Sequence, residues 1–150
     1  MEDYAAALNE HRDGWVTAMN MHFVRATRDE VVMEWEVAAV HRQVFGIVHG
    51  GVYAGAVETV CSVGAALAAM AHGKTAVGLE NSTSFVHAVA NGRLRATAKP
   101  LTRGRTTQVW ECQVTDDKGR VAATGRVRLL CVEPGQPIGQ TAANAFAVKA

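Results

Sequence analysis

Apolar positions recur with two different periods along this chain, and each change of period marks an element. Over residues 4–12, Tyr4, Leu8 and the alanines between them have helical spacing, and Gly14 is expected to end that short helix. Period-two runs follow at about 21–28 and 31–38. In the second, Val31, Met33, Trp35 and Val37 alternate with Val32, Glu34, Glu36 and Ala38, the pattern of a half-buried strand. Residues 39–48 read as a loop holding His41, Gln43 and Gly46. From His49-Gly50-Gly51 to about Ala71 the chain is alanine-rich, with Glu58 the only ionisable residue between Gly51 and His72. That predicts a long helix without a polar face, hence one surrounded by protein. At 1.5 Å per residue it would span roughly 33 Å. His72-Gly73-Lys74 supplies a glycine and cations where the helix must stop.

Four more strand-like runs lie at about 76–88, 92–101, 105–116 and 120–132, separated by Asn91-Gly92, Arg103-Gly104 and Asp116-Asp117-Lys118-Gly119. Trp110, Cys112 and Val114 alternate with Val109, Glu111 and Gln113, and Val127 and Leu129 with Arg126 and Arg128. Tight turns predict that these last four runs pair antiparallel in succession. From Glu133 onward periodicity disappears. The expected layout is α+β: one domain over residues 1–132, with a long buried helix wrapped by a curved antiparallel sheet of five to six strands, and a loosely ordered tail over 133–150. One sheet with one helix leaves an open face or edge, which predicts a homodimer.

Composition narrows the function. The 150 residues carry 15 basic and 14 acidic side chains, a formal net charge of +1, so nucleic acid is not an expected partner. The three cysteines, Cys61, Cys112 and Cys131, are scattered among apolar residues and read as buried free thiols of a reducing compartment. No secretory pattern follows Met1, and the most apolar stretch, Thr59 to Ala71, is short of a membrane span. A cytoplasmic protein with no membrane partner is expected. His11, His22, His41 and His72 show no metal-ligand spacing, so no metal is expected. Phosphate-cradling, dinucleotide and nucleophile-elbow motifs do not occur.

The chemistry concentrates between Gln43 and Ser62. A lone carboxylate on a buried apolar helix is costly unless paired or used. Glu58 is therefore either salt-bridged to an arginine at an interface or a general base or nucleophile in a ligand cavity, its pKa raised by apolar surroundings. Ser62 shares its face, four residues on, and either bonds the preceding turn or serves a ligand. Gly51 and Gly55 lie on the same side and would leave room for that ligand. Gly50 and Gly51 open the helix, where unpaired N–H groups attract developing negative charge, such as a carbonyl oxygen becoming an oxyanion.

Gln43, Gly46, His49-Gly50-Gly51, Glu58 and Ser62 together resemble the hot-dog fold acyl-CoA thioesterases of the phenylacetic-acid-pathway type. Relatives of that type include the Arthrobacter-type 4-hydroxybenzoyl-CoA and the 1,4-dihydroxy-2-naphthoyl-CoA thioesterases. Gly104-Arg105-Thr106-Thr107-Gln108-Val109-Trp110 extends the likeness, which covers about residues 15–132. The resemblance implies an acyl-CoA thioesterase acting on an aromatic or short to medium acyl group, without a cofactor, as a homodimer or dimer of dimers. It implies that Glu58 attacks the thioester or activates water, that the Gly50 N–H holds the oxyanion, and that Gln43 contacts the carbonyl. Ser62 would hold water or an acyl polar group, and His49 would orient the helix start. Gly51 would border the substrate, and Gly104, Arg105 and Thr106 would meet the CoA phosphates. Many relatives carry Asn-His-x-Arg where this chain has Ser84-Phe85-Val86-His87. Phe85 therefore makes the ligand region more apolar if it faces inward, and His87 is a candidate phosphate contact. The rival reading is a non-catalytic hot-dog domain that binds acyl-CoA or an acyl carrier. A hot-dog dehydratase would need a His and acid arrangement absent here.

Gly50 and Glu58 are eight residues apart on one helix, about 12 Å along its axis. One carbonyl cannot sit about 3 Å from both. The spacing therefore predicts active sites assembled from two antiparallel helices of two subunits.

Overall fold

The structure is a computed structural model describing residues 2–12 and 14–143. Strands β1 (His22–Ala26) and β2 (Val31–Glu36) form a hairpin. Thr27 closes its turn by donating to the Glu30 carbonyl and accepting from the Asp29 and Glu30 N–H groups. The long helix α3 (Gly50–Met70) follows, then β3 (Thr75–Phe85), β4 (Arg93–Arg103), β5 (Thr107–Asp116) and β6 (Val121–Val132). These six strands make one antiparallel sheet in the order β1-β2-β4-β5-β6-β3, curved around α3.

The helix is the core. Ala56, Val57, Val60, Cys61 and Ala65 are fully buried on it, against Met33, Trp35, Leu94, Trp110, Val114 and Val127 of the sheet. Gly64 admits the Trp110 indole, whose Cη2 lies 2.5 Å from where a Cβ would stand. Buried Gln108 ties helix to sheet by donating to the Ala65 carbonyl at 3.0 Å and accepting from the Trp110 Nε1–H at 2.9 Å. At 21 residues, α3 is longer than the apolar stretch counted from sequence and is long and apolar enough to cross a membrane, yet 67% of its most apolar 18-residue window is buried within this fold.

Several sequence expectations change. Gly14 does not simply stop a helix: α1 covers Ala5–Glu10, and Gly14–Ala18 forms a second short helix, α2. Strand β2 is buried on both faces rather than one. Val32 is 3% exposed, and the Glu34 carboxylate is covered by Arg95, by Arg93 at 3.9 Å and by His22 at 4.0 Å. The larger correction concerns pairing. Strand β3 does not form a hairpin with β4 but lies beside β6, at the edge opposite β1. The connection over 86–92 shows why. The Val86 and His87 N–H groups bond the Ala122 carbonyl, the Val89 carbonyl accepts from Val48, and the Gly92 carbonyl accepts from Val37. Asn91-Gly92 thus ends a crossover that carries the chain from one edge to the sheet's middle. In the segment read as a loose tail, Pro137–Ile138 (β7) pairs with Thr141–Ala142 (β8), and Glu133 meets Lys74 at 3.3 Å. Residues 144–150 of that tail lie outside the described residues.

Candidate active site

The N-terminus of α3 is built from the loop before it. His41 is buried, and its Nδ1 accepts from the Ala38 N–H at 2.9 Å, so Nε2 is the nitrogen that donates to the Met19 carbonyl at 2.8 Å. The His41 carbonyl accepts from the His49 N–H, which anchors the helix start. His49 is the N-cap. Its Nδ1 accepts from the Gly51 N–H at 2.8 Å, so it orients the helix start, and Gly51 spends its N–H on that cap. Gly50 has no such partner: among the described residues its N–H donates to nothing, which leaves it available to an incoming oxygen. Gln43 begins a turn whose Gly46 has φ +80°, a conformation that favours glycine. Its side-chain oxygen accepts from the Phe45 N–H.

A pocket of about 320 Å³ opens beside Gly50. Gln43, Gly50, Tyr53, Phe85, Val86 and His87 are among its walls. Four residues singled out from the sequence (Gln43, Gly50, Phe85 and His87) therefore share one cavity. Burial pushes the Tyr53 phenol up to about 12, with the Asp116 charge adding to the effect, so the hydroxyl stays neutral.

Glu58 lies elsewhere on the helix and is not among those walls. Its surroundings are more polar than the sequence suggests. Ser62 Oγ donates to Glu58 Oε1 at 3.1 Å, and Asn81 Nδ2 donates to Glu58 Oε2 at 2.9 Å. Asn81 also donates to the Ala54 carbonyl at 3.0 Å and accepts from Thr83 Oγ1 at 2.6 Å. No arginine pairs with Glu58 among the described residues, so the salt-bridge alternative is not what this chain builds within itself. Opposite Glu58, a Cβ on Gly78 would stand 2.6 Å from Oε1, so that glycine on β3 makes room for the carboxylate. Gly55 does not leave ligand space: the Trp15 indole of α2 covers it, with Cζ2 2.5 Å from a would-be Cβ.

Gly104 and Arg105 occupy a third place. They line a cleft of about 780 Å³ at the C-terminal end of α3, with Arg28, His72, Lys74 and Arg103 also on its rim. Thr106 stands outside its walls and gives its carbonyl to the Cys131 N–H. Arg103 is committed to Asp29 at 2.6 Å, whereas Arg105 and Arg28 have no ion-pair partner among the described residues. Sequence reasoning missed Asn81, which sits in the polar run Asn81-Ser82-Thr83-Ser84 of an edge strand, where polar residues are ordinary. It also missed Arg28, His72 and Lys74, which only the fold brings to Arg105.

Among the described residues, the start of this helix thus offers a free N–H, and one ordered carboxylate stands farther along it. The sequence profile of the thioesterase superfamily matches residues 45–123. The 1,4-dihydroxy-2-naphthoyl-CoA hydrolase of Escherichia coli is 32% identical over 122 residues, covering 81% of this chain and 89% of that protein. The proofreading thioesterase EntH of Klebsiella pneumoniae is 33% identical over 123 residues, with the same coverage of 81% and 89%. The crystal structure of a thioesterase from Haemophilus influenzae superposes with a TM-score of 0.81 at 26% identity, covering 86% of this chain and 90% of that one. This chain belongs to the thioesterase superfamily, has the hot-dog fold, and is a thioester hydrolase by class.

Proposed function

We propose that this chain hydrolyses acyl-CoA thioesters with an aromatic or short to medium acyl group, giving the free acid and CoA. The observation that carries the reading is the pairing of two half-sites on one helix. Glu58 is held by Ser62 and Asn81, and Gly50 has a free N–H beside a largely apolar pocket. In the proposed reaction the thioester carbonyl approaches Gly50, with Gln43 alongside. Glu58 adds to the carbonyl carbon, or takes a proton from the water that does. The carbonyl oxygen becomes an oxyanion facing the Gly50 N–H. Collapse breaks the C–S bond and releases CoA: on the water route its sulfur takes the proton held by Glu58, and on the direct route it leaves as thiolate and is protonated by the water that later splits the anhydride. Water completes the turnover if an acyl-Glu58 anhydride has formed. Ser62 and Asn81 orient the carboxylate throughout. The chemistry uses water, a carboxylate and backbone dipoles, with neither metal nor cofactor.

The same reading assigns the cleft at Gly104 and Arg105 to the CoA phosphates, for which unpaired arginines are suited. It makes the protein a homodimer, because Glu58 and Gly50 serve one carbonyl only if they come from different chains, and the family likeness extends the proposal to a dimer of dimers in the cytoplasm. The rival, a domain that binds acyl-CoA without cleaving it, has no use for an ordered, accessible carboxylate.

The test is a panel of acetyl-, hexanoyl-, benzoyl- and phenylacetyl-CoA with thiol detection. Wild type should release CoA from at least one. Glu58→Gln should remain folded by circular dichroism and lose about 10²–10⁴-fold in kcat. A folded Gln variant keeping more than about a tenth of the rate would remove Glu58 from the chemistry.

A further inference from the structure

Phe85 is 61% exposed, near the end of an edge strand, and its ring sits against the backbone of Gly50. A Cβ built on Gly50 would stand 2.6 Å from Phe85 Cζ and 2.7 Å from Cε2, far inside van der Waals contact. Gly50 is not in the left-handed region, so its backbone conformation does not demand glycine. The ring does. Among the other apolar walls of the pocket, Val48 and Tyr53 are 4% and 3% exposed and locked into the core. Phe85 packs against Gly50 and makes a tilted contact to Tyr53 with centroids 6.2 Å apart.

We propose that Phe85 is the specificity-determining residue of the acyl pocket: its ring is the wall beside the Gly50 N–H that sets the largest acyl group admitted, and it fills the space a side chain at position 50 would need. This rests on the thioesterase reading for the identity of the ligand, but the coupling between Gly50 and Phe85 does not. Two consequences follow. Shortening Phe85 should favour wide acyl groups over narrow ones. A methyl group at position 50 should be harmful only while the ring is present.

The first measurement is kcat/KM for benzoyl-CoA and 2-naphthoyl-CoA in wild type, Phe85→Ala, Phe85→Leu and Phe85→Trp. The naphthoyl-to-benzoyl ratio should rise by about tenfold or more in the Ala variant, rise less in Leu, and fall in Trp, since a change in pocket size of a few carbons is worth 10–200-fold. A ratio that stays within about twofold across the series, while the absolute rates change together, would overturn the assignment. The second measurement needs no turnover. Gly50→Ala should lower the thermal midpoint in the Phe85 chain and lower it by less than half as much in the Phe85→Ala chain. Equal shifts in the two backgrounds would show that the ring does not restrict position 50. If no thioester of the panel is cleaved, the hydrolase reading fails and the pocket half is read from binding of S-benzyl-CoA and S-(2-naphthylmethyl)-CoA by calorimetry. The same reordering of affinities upholds the role of Phe85, and an unchanged order rejects it.

Discussion

Asn81 holds two elements and one functional group with a single amide. It bonds the Ala54 carbonyl and the Glu58 carboxylate while Thr83 fixes its own oxygen. The orientation of that amide is thereby determined, with its NH₂ toward Glu58 and its oxygen toward Thr83. Hydrogen bonds to a charged group are worth about 1.5–3 kcal/mol. Asn81→Ala should therefore lower kcat for a thioester by about 10–100-fold and leave KM nearly unchanged, because the bond orients the carboxylate rather than the substrate. Steady-state kinetics on benzoyl-CoA reads this split, and a rise in KM at constant kcat would show that Asn81 contacts substrate instead. The sequence made Glu58 conspicuous because a lone acid in an apolar helix breaks a pattern. Asn81 breaks none, since an exposed edge strand is allowed to be polar on both faces. His41 was equally opaque: nothing local says that a loop histidine will be buried with both ring nitrogens used by the backbone.

At the scale of elements, the long helix was legible for a simple reason. Its composition is uniform over six turns, and glycines close both ends. The order of the strands was not legible, because Asn91-Gly92 has the chemistry of a hairpin turn and is used to end a crossover. Local turn chemistry constrains a bend and says nothing of which strand lies beside which. The packing of α3 also separates glycines that look alike in the sequence. Gly64 faces the Trp110 indole, fully buried and pinned by Gln108, with Cε3 2.9 Å and Cη2 2.5 Å from a would-be Cβ. Gly55 faces Trp15, which is 38% exposed and has room to turn away. Gly64→Ala overpacks a fixed core and should cost about 1–3 kcal/mol. Gly55→Ala should cost less than about 0.5 kcal/mol, or stabilise, since alanine is the better helix former and the indole can shift. Urea midpoints with unchanged slopes measure both. Equal losses at the two positions would mean that Trp15 is held as rigidly as Trp110.

In the whole molecule, the two groups proposed to act on one carbonyl stand apart. The pocket at Gly50 is bounded by Gln43, Phe85 and His87, while Glu58 stands with Ser62 and Asn81 about two turns along the same helix. Strand β3 runs as an unpaired edge of eleven residues past Glu58, with Leu79, Phe85 and Val86 exposed on or just beyond it. Such an edge is a template for a second strand. Two copies joined along it about a two-fold axis would set the α3 helices antiparallel and bring Glu58 of one protomer to Gly50 of its partner. Mixing inactive variants tests this directly. Glu58→Ala removes the acid. Gly50→Val sends a branched side chain into the Phe85 ring and obstructs the pocket at the other half-site. Each variant alone should be inactive and folded. After joint unfolding and refolding in equal amounts, random pairing makes half of the dimers mixed, and each mixed dimer holds one intact site and one doubly damaged site. Activity should return to about a quarter of wild type. If both groups served from one chain, every site would carry a lesion, and verified mixed dimers would stay inactive.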